Sequence, residues 1–355
     1  MINNLIRKKL VNLMPYACAR DLYSEGMFLD ANENSFGSTV KIPYRNELNR
    51  YPDPYCLDLK KAILKYLNLP FLKLENIFVG SGSDEIIRLL INLFSNTDDE
   101  IIINEPTYGM YRVAADICGV GVKVVGLDDN FQLDVKELKQ KITSNTKLVF
   151  CCSPNNPTGS LLRVEDIVDL CNVFKGFLVL DEAYVEFSSS GSMVGLLEKC
   201  SNLLILRTFS KAWGLAGLRI GYMIGNEEVV AYLNKIKLPY NVNSLSQSLG
   251  VRALENVKIM NEVISRILDE RRWLEVELRK LGLEVFPSET NFLMVKVEGS
   301  GSDDLAKRIV KYLAEDEGII VRDFSSKLGL KNCFRITVGT PKQNKLLIQS
   351  LTSIL

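Results

Sequence analysis

The chain has 355 residues, of which 47% are hydrophobic and 24% are charged, and its 43 basic residues balance its 43 acidic residues. This composition is typical of a soluble globular protein large enough for more than one core, and the zero net charge gives no support to the binding of nucleic acid or of an anionic membrane surface. The sequence contains no histidine, which excludes Ser-His-Asp and Cys-His catalysis and histidine-based metal sites.

Residues 1–35 are predicted to form an N-terminal arm that belongs to a small domain. Residues 30–37, at the end of this arm, are polar and rich in turn formers. A loop with two prolines follows at residues 49–54 and holds Tyr51 at a fixed angle. Residues 57–67 carry apolar side chains at helical spacing, which predicts an amphipathic helix.

Strands and helices then alternate along the chain up to residue 224. Strands are predicted over residues 76–79, 100–104, 122–126, 147–152, 177–180, 203–206 and 220–224. Helices are predicted over residues 86–94, 107–117, 134–142 and 164–174. Such alternation is typical of an α/β fold with a mostly parallel, doubly wound sheet, and we expect it to form a large domain over residues 36–245.

The pattern changes after residue 245, where a small α+β domain is predicted over residues 246–355. It begins with a long helix over residues 246–281, kinked or split. Further strands are predicted over residues 283–286, 292–297, 319–322 and 333–338, with helices over residues 305–314 and from residue 341. No internal repeat or low-complexity segment interrupts the two domains.

The eight cysteines show no C-x-x-C pairing, and most lie in apolar runs. They indicate small core residues and neither a metal site nor a disulfide framework. The first ten residues lack the apolar segment of a signal peptide, and no apolar run is long enough to span a bilayer. We therefore expect a cytoplasmic protein with no bound metal.

The stretch from residue 203 to residue 222 holds the most informative side chains. A predicted strand leads to Thr208 and Ser210, and Lys211 follows in a segment of small and apolar residues. A lysine in such surroundings must be paired or lose its charge, and its usual chemical use is a Schiff base with a carbonyl cofactor or substrate. The two hydroxyls and Arg219 are suited to bind a phosphate. The combination indicates pyridoxal phosphate (PLP) as the cofactor.

Other candidate residues follow strands of the large domain, where open α/β sheets bind their ligands. Residues 81–85 connect a strand to a helix, and their N–H groups form an anion-binding nest. Tyr108 follows the next strand, where a tyrosine either stacks on a pyridine ring or is a half-buried residue at a helix start. Asn156 projects from a turn that Pro154 and Pro157 make rigid, and it can donate to a phenolate oxygen.

Charged residues at the ends of predicted strands complete the candidate site. Asp181 ends an apolar strand, where a carboxylate requires a cation, and a protonated pyridine nitrogen would be that partner. Tyr184 lies three residues on and can reach the oxygen of the ring. Arg322 and Arg335 end strands of the small domain, and together they would form an anion clamp for a substrate.

Four segments of the sequence resemble the fold-type-I PLP-dependent aminotransferases. They are T-F-S-K-A-W-G-L-A-G-L-R at 208–219, S-P-N-N-P-T-G at 153–159, D-E-A-Y at 181–184 and F-R-I-T-V-G at 334–339. The resemblance covers nearly the whole chain. Within this family, P-Y-x-x-x-R at 15–20, A-N-E-N at 31–34, R-Y-P at 50–52, P-Y-N-V-N at 239–243 and R-D at 322–323 resemble the histidinol-phosphate aminotransferases. Ser35 departs from the family, which usually has proline there.

The resemblance implies a role for each matching residue. Lys211 is expected to form the Schiff base and to move the proton between the substrate α-carbon and the cofactor, with Asp181 at the pyridine nitrogen and Asn156 and Tyr184 at the ring oxygen. The residues expected to contact the rest of the cofactor are Tyr51, Gly82, Ser83, Asp84, Tyr108, Thr208, Ser210 and Arg219. The residues expected to hold the substrate are Tyr16, Asn32, Tyr51, Asn156, Arg322 and Arg335. Tyr51 is expected to reach across from the neighbouring subunit of a homodimer.

The resemblance also implies a reaction, the exchange of an amino group between L-histidinol phosphate and 2-oxoglutarate with ping-pong kinetics, as a step of histidine biosynthesis. A phosphate carries a charge of about −1.5 to −2 near neutral pH, which two arginines balance better than they balance a carboxylate. Three alternatives remain open. The first is an aromatic amino-acid aminotransferase, and the second is a PLP-dependent decarboxylase of a phosphorylated amino acid, similar to threonine-phosphate decarboxylase. The third, a non-enzymatic regulator, would need a DNA-binding module, for which residues 1–35 are too short and too neutral.

Overall fold

The structure, a computed structural model, describes residues 26–30, 32–37, 51–297 and 304–355. The predictions made for residues 1–25 and 38–50 lie outside these ranges, and so does the predicted substrate residue Tyr16. Among the helices of the described residues, none combines the length and apolar composition needed to cross a bilayer.

The first described elements are a short strand and an amphipathic helix. Strand β1 spans Met27–Phe28 and helix α1 spans Leu57–Leu67, as its apolar spacing predicts. The elements that follow up to residue 236 are β2 (Ile77–Gly80), α2 (Ser83–Phe94), β3 (Glu100–Glu105), α3 (Met110–Cys118), β4 (Gly121–Gly126), α4 (Val135–Lys141), β5 (Thr146–Cys152), α5 (Val164–Val173), β6 (Phe177–Asp181), β7 (Leu203–Thr208), β8 (Gly221–Ile224) and α6 (Glu227–Ile236). Every strand predicted in this region is present, and no strand end is shifted by more than two residues.

Strands β2 to β8 form one seven-stranded sheet in the order β2-β8-β7-β6-β5-β3-β4. All neighbours are parallel except β8, which runs antiparallel to both β2 and β7. The carboxyl ends of β2, β7, β6 and β5 therefore meet at one edge of the sheet, where ligands of such sheets bind. The predicted α/β fold with a mostly parallel sheet is confirmed.

Two apolar layers cover the faces of this sheet. On one face, side chains such as Ile205, Leu180 and Trp213 pack against α1 and α5. On the other face, Leu206, Phe150 and Met223 pack against α2 and α3. Strands buried on both faces explain the nearly continuous apolar runs from which they were predicted.

The C-terminal part contains the remaining elements. They are α7 (Ser244–Glu255), α8 (Val257–Lys280), β9 (Glu284–Val285), β10 (Phe292–Lys296), α9 (Leu305–Glu315), β11 (Ile319–Ile320), β12 (Arg322–Asp323), β13 (Cys333–Thr337) and α10 (Pro341–Ile354). Strands β12, β13, β10 and β9 form an antiparallel sheet in that order. The predicted split of the long helix occurs at Asn256, between α7 and α8. The division of the chain at residues 35 and 245 stays a prediction.

Three elements differ from the sequence-based expectation. The single strand predicted over residues 319–322 is wrong, because β11 pairs in parallel with β1 while β12 pairs with β13. Strand β1 was not predicted, since its partner lies about 290 residues away in the chain. Helix α6 was also missed, although Asn226 caps its start by accepting a hydrogen bond from the N–H of Glu228 at 2.8 Å.

Candidate active site

A cleft of about 680 Å³ opens at the carboxyl edge of the large sheet and is bordered by β12 and β13. Most of the residues predicted to bind the cofactor or the substrate line this cleft. They are Asn32, Ser83, Asp84, Tyr108, Asn156, Asp181, Tyr184, Thr208, Ser210, Lys211, Arg219, Arg322 and Arg335. Gly82 lies beside the cleft against Arg219, and Tyr51 lies outside it.

Lys211 follows β7 and is placed in the cleft among other charged groups. Burial lowers the pKa of its ammonium to about 8, and the positive charge of Arg335 acts in the same direction. Its Nζ lies 5.7 Å from the centre of the Tyr184 ring. Near physiological pH, more of Lys211 is therefore neutral than of an ordinary lysine, and the neutral amine is the form that acts as a nucleophile or base.

The loop after β7 and the start of α2 bring together several groups suited to an anion. The Thr208 hydroxyl donates to Ser210 Oγ at 2.9 Å, and Arg219 forms an ion pair with Asp84 at 3.1 Å. Gly82 precedes α2 with φ of +80° and has no side chain to cap the first N–H groups of the helix. This φ favours glycine, and a Cβ here would lie 2.8 Å from Nη2 of Arg219, so the arginine side chain would have to shift.

Asp181 is the last residue of β6 and is almost completely buried. Burial raises the pKa of its carboxyl to about 6, while hydrogen bonds to its oxygens oppose this shift. The donors are the Tyr111 hydroxyl, 2.8 Å from Oδ2, and the N–H of Ala183, 3.0 Å from Oδ1. A cationic partner in the cleft would favour the ionised carboxylate.

Asn156 and Arg335 meet across the cleft, although they are 179 residues apart. Nη1 of Arg335 donates to Oδ1 of Asn156, and Nη2 donates to the backbone carbonyl of Asp30. The guanidinium lies over the rings of both Phe292 and Phe324, 5.1 and 5.3 Å from their centres. It is thus a buried cation held in a fixed orientation.

The turn that carries Asn156 is fastened by the preceding residue. The Asn155 side chain donates to the carbonyl of Pro106 at 2.9 Å and to the Thr158 hydroxyl at 2.8 Å. Gly159 closes the turn with φ of +78°, and a Cβ there would lie 2.7 Å from the Ser288 hydroxyl. The expected rigidity of this turn therefore has support from side-chain contacts as well as from its prolines.

Arg322 and Arg335 face each other on neighbouring strands. Their Cα atoms are partners in the register of β12 and β13, and both side chains line the cleft. Arg335 is buried, whereas Arg322 is only partly buried. Two arginines therefore lie side by side at the cleft, as the predicted anion clamp requires, and their role in holding a substrate stays a prediction.

Asn32 and Tyr184 are linked directly. Nδ2 of Asn32 donates to the Tyr184 hydroxyl at 2.9 Å, and Oδ1 of Asn32 accepts from the Thr337 hydroxyl at 3.1 Å. Asn32 has φ of 56°, a left-handed conformation that asparagine tolerates. Asn32 thus lines the cleft and also contacts Tyr184, a residue expected to contact the cofactor.

Tyr108 and Tyr51 occupy different positions. The Tyr108 hydroxyl donates to Oδ1 of Asp84 at 2.9 Å at the side of the cleft. Tyr51 is 81% exposed, and its ring stacks on that of Tyr240 with 4.6 Å between the centres. Tyr51 therefore does not belong to the cleft of its own chain.

Sequence reasoning missed several residues that line or support the cleft. Asp30, Glu33 and Cys152 line the cleft, and the buried Tyr111 donates a hydrogen bond to Asp181. Tyr111 follows Tyr108 by three residues, and in the helix predicted over residues 107–117 this spacing places both on one side, which was the available signal. Its apolar surroundings made it indistinguishable from an ordinary core residue.

The groups around the cleft fit the cofactor that the sequence implies. The hydroxyls of Thr208 and Ser210, the uncapped start of α2 and Arg219 form a donor set for a phosphate dianion. Asp181 is a buried carboxylate able to accept from the N–H of a pyridinium ring. Lys211 supplies an amine with a lowered pKa.

Comparison with known proteins identifies the family to which this site corresponds. A family model described as aminotransferase class I and II matches residues 25–351. A histidinol-phosphate aminotransferase of Cytophaga hutchinsonii is 42% identical over 355 residues, which cover 99% of this chain and 98% of the relative.

Solved structures extend the comparison. The crystal structure of histidinol-phosphate aminotransferase from Sinorhizobium meliloti in complex with pyridoxal-5'-phosphate is 25% identical, with a TM-score of 0.85 over 98% of this chain and 97% of that chain. The crystal structure of L-threonine-O-3-phosphate decarboxylase from Porphyromonas gingivalis is 26% identical, with a TM-score of 0.73 over 86% of this chain and 91% of that chain.

Proposed function

Because the chain belongs to the class I and II aminotransferases, with histidinol-phosphate aminotransferases among its full-length relatives, we propose that it transfers the amino group of L-histidinol phosphate to 2-oxoglutarate. The products are imidazole-acetol phosphate and L-glutamate, and the reaction is a step of histidine biosynthesis. The cofactor is pyridoxal phosphate.

Pyridoxal phosphate, when bound, supplies a carbonyl that takes up the amino group and a ring that withdraws electrons from the substrate α-carbon. The chain's own residues hold and orient these parts. We assign the phosphate to Thr208, Ser210, Arg219 and the start of α2, with Gly82, Ser83 and Asp84 contributing backbone groups. Asp181 accepts from the N–H of the ring, and its buried negative charge keeps that nitrogen protonated.

Lys211 carries the proton in this proposal. Its Nζ removes the proton from the substrate α-carbon and returns it at the cofactor carbonyl carbon. The lowered pKa makes the neutral form of Nζ, which can accept a proton, much more abundant near neutral pH than it is in an ordinary lysine. We assign Tyr184, whose hydroxyl accepts from Asn32, and Asn156, whose Oδ1 accepts from Arg335, to donate to the oxygen of the ring.

The adjacent pair of Arg322 and Arg335 is the observation that carries the substrate assignment. Both line the cleft and are register partners on β12 and β13, so two cations are available for one end of a substrate. A phosphate dianion has the charge to match both. Arg335 would also hold the carboxylate of 2-oxoglutarate in the second half of the reaction.

A spectroscopic titration tests this function. The purified protein loaded with PLP is mixed with L-histidinol phosphate in the absence of any oxo acid. We expect loss of the visible absorption of the bound cofactor, because the first half of the reaction converts its carbonyl form into its amine form. Addition of 2-oxoglutarate should then restore the original spectrum. Conversion by phenylalanine or tyrosine but not by L-histidinol phosphate would instead indicate an aromatic amino-acid aminotransferase.

One alternative has a structural observation in its favour, namely the similarity to an L-threonine-O-3-phosphate decarboxylase. A decarboxylase of this kind would use the same two arginines on a phosphorylated amino acid. Release of carbon dioxide from threonine phosphate, with an unchanged spectrum after L-histidinol phosphate, would support that reading and contradict ours.

We also propose that the protein is a homodimer in which Tyr51 serves the site of the neighbouring subunit. The ring of Tyr51 stacks on that of Tyr240, which brings two chain segments with exposed apolar side chains together. Leu238, two residues before Tyr240, is 74% exposed, and Tyr55 and Leu57, shortly after Tyr51, are also exposed. Apolar patches of this kind mark protein interfaces.

Mixing two inactive variants tests the shared site. Lys211→Ala removes the lysine, and Tyr51→Ala removes the tyrosine expected to cross the interface. In a mixed dimer, the Tyr51→Ala subunit keeps its own Lys211 and receives an intact Tyr51 from the other subunit. We therefore expect activity to reappear after the two variants are unfolded and refolded together, measured as turnover of L-histidinol phosphate. Failure to regain activity in a mixture that sedimentation shows to be dimeric would place Tyr51 in its own chain's site or in none.

We further propose a cytoplasmic location. The seven cysteines of the described residues all carry free thiols, as is usual in a reducing compartment. Detection of the natural protein in separated cell fractions would test this location.

A further inference from the structure

Tyr111 lies beneath the cleft and contacts the carboxylate at its base. It is fully buried on α3, and its hydroxyl donates to Oδ2 of Asp181 at 2.8 Å. The hydrogen bond joins α3 to the end of β6 across 70 residues of sequence. A buried tyrosine hydroxyl normally requires a hydrogen-bond partner. The partner here is Asp181, the residue that the proposed function assigns to the cofactor ring.

The position of the Tyr111 hydroxyl is determined by its aromatic neighbours. The ring stacks on Phe150 of β5, with 4.9 Å between the centres and 20° between the planes. Tyr108, which lines the cleft, packs edge-on against it at 5.6 Å. A ring held on two sides cannot follow a moving carboxylate, so the hydroxyl fixes where Asp181 points.

We propose that Tyr111 is a positioning residue for Asp181, and that its hydroxyl keeps this carboxylate ionised and oriented toward the cofactor ring. The inference rests on the proposed function, in which Asp181 accepts the N–H of that ring. Tyr111 occupies one acceptor position on Oδ2, and the N–H of Ala183 occupies one on Oδ1. Each carboxylate oxygen accepts more than one hydrogen bond, so acceptor positions remain for the ring.

The surroundings of Asp181 show why such a donor is needed. The titratable groups that face it are Asp84 from α2, Tyr111 from α3, Cys152 from β5, and Glu182 and Tyr184 after β6. Burial raises the pKa of Asp181 to about 6, and the negative charges of Asp84 and Glu182 act in the same direction. The Tyr111 hydroxyl and the Ala183 N–H are the groups that oppose this rise. Of these two, only Tyr111 depends on a side chain.

Replacement of Tyr111 by phenylalanine removes the hydroxyl and keeps the ring. A hydrogen bond to the ionised form lowers a carboxyl pKa, so its loss raises the pKa of Asp181. We expect the protonation midpoint of Asp181 to move up by about one pH unit or more, the effect of one charge-assisted hydrogen bond. Infrared difference spectra of the full cofactor-free chain during a pH titration would measure it, with the Asp181→Asn variant identifying the carboxyl band.

The loaded enzyme provides a second measurement. With a higher pKa, less Asp181 is ionised at mildly acidic pH, whereas ionisation is nearly complete at alkaline pH. The Tyr111→Phe variant should therefore lose about tenfold in kcat/KM at about pH 6 and much less at about pH 8.5. A purely structural role would lower kcat/KM by the same factor at both pH values.

Tyr222→Phe is the matched control. Tyr222 is also fully buried, but it lies in the apolar layer on the opposite face of the sheet. We expect this variant to leave the midpoint of Asp181 and the pH profile unchanged. An unmoved midpoint in Tyr111→Phe, or an equal shift in both variants, would overturn the proposal.

A second substitution keeps the test decisive if Tyr111→Phe does not fold. Incorporation of 3-fluorotyrosine at position 111 retains the shape and strengthens the hydroxyl as a donor, so the midpoint of Asp181 should fall. A midpoint that does not fall would contradict the proposal. Because the infrared measurement needs neither cofactor nor substrate, a chain that shows the shift but does not act on L-histidinol phosphate contradicts the proposed function alone.

Discussion

Replacing Lys211 by alanine is expected to lower kcat/KM for amino transfer by about 10⁴-fold or more, because both the nucleophilic amine and the proton carrier are lost. PLP should still bind without a covalent link, since Thr208, Ser210, Arg219 and Asp181 are unchanged. Steady-state kinetics with L-histidinol phosphate and 2-oxoglutarate would measure the loss. Cofactor retained through gel filtration, measured after release by denaturation, would show that the site is still formed.

Two variants control for effects of charge and of burial. Lys211→Arg keeps a cation but not a group that gives up its proton near neutral pH, so it should be as inactive as the alanine variant. Lys60→Met removes another buried lysine, whose pKa burial also lowers, from helix α1. It should retain full activity. Substantial turnover by Lys211→Ala would remove Lys211 from the mechanism.

Replacing Arg335 by lysine is expected to lower kcat/KM by about 10²-fold for both L-histidinol phosphate and 2-oxoglutarate. The charge is retained, but a lysine cannot donate to Asn156 and to the carbonyl of Asp30 while also holding a substrate anion. Stacking over the rings of Phe292 and Phe324 is lost as well. Separate pre-steady-state titrations of the two half-reactions would measure the effect on each substrate.

The neighbouring arginine provides the comparison. Arg322→Lys should weaken the reaction of the phosphorylated amine and leave that of 2-oxoglutarate nearly unchanged, because the oxo acid has no phosphate. Equal effects of Arg322→Lys on both substrates would show that Arg322 does not distinguish the phosphate. Normal kinetics of Arg335→Lys would exclude Arg335 from both substrate sites.

The elements of the large sheet could be predicted because their signals are local. A short window of sequence is enough to recognise an apolar run that is buried on both faces, such as Leu203–Thr208. The same holds for a cap residue such as Asp134 at the start of α4. The split of the strand predicted over residues 319–322 could not be predicted in the same way. Its first half pairs with Met27–Phe28, and a pairing between such distant segments leaves no local signal.

The sequence by itself determined the chemical identity of the site. Asp181, Asn156 and Lys211 lie in short motifs that follow predicted strands, and a position after a strand already places a residue at the ligand-binding edge of a parallel sheet. Arg219 belongs to the same motif as Lys211. The residue types then limit the chemistry, since an amine, a carboxylate and a phosphate-binding arginine have few common uses. These inferences require only neighbours in the chain.

Only the tertiary structure decided which side chains support these residues. Tyr111 contacts Asp181, Asn32 contacts Tyr184, and Arg335 contacts Asn156 across sequence separations of 70, 152 and 179 residues. The protonation states of Lys211 and Asp181 also depend on burial, which results from packing of the whole domain. A sequence motif indicates which groups react, whereas the orientation and charge of these groups depend on contacts that form only when distant segments pack together.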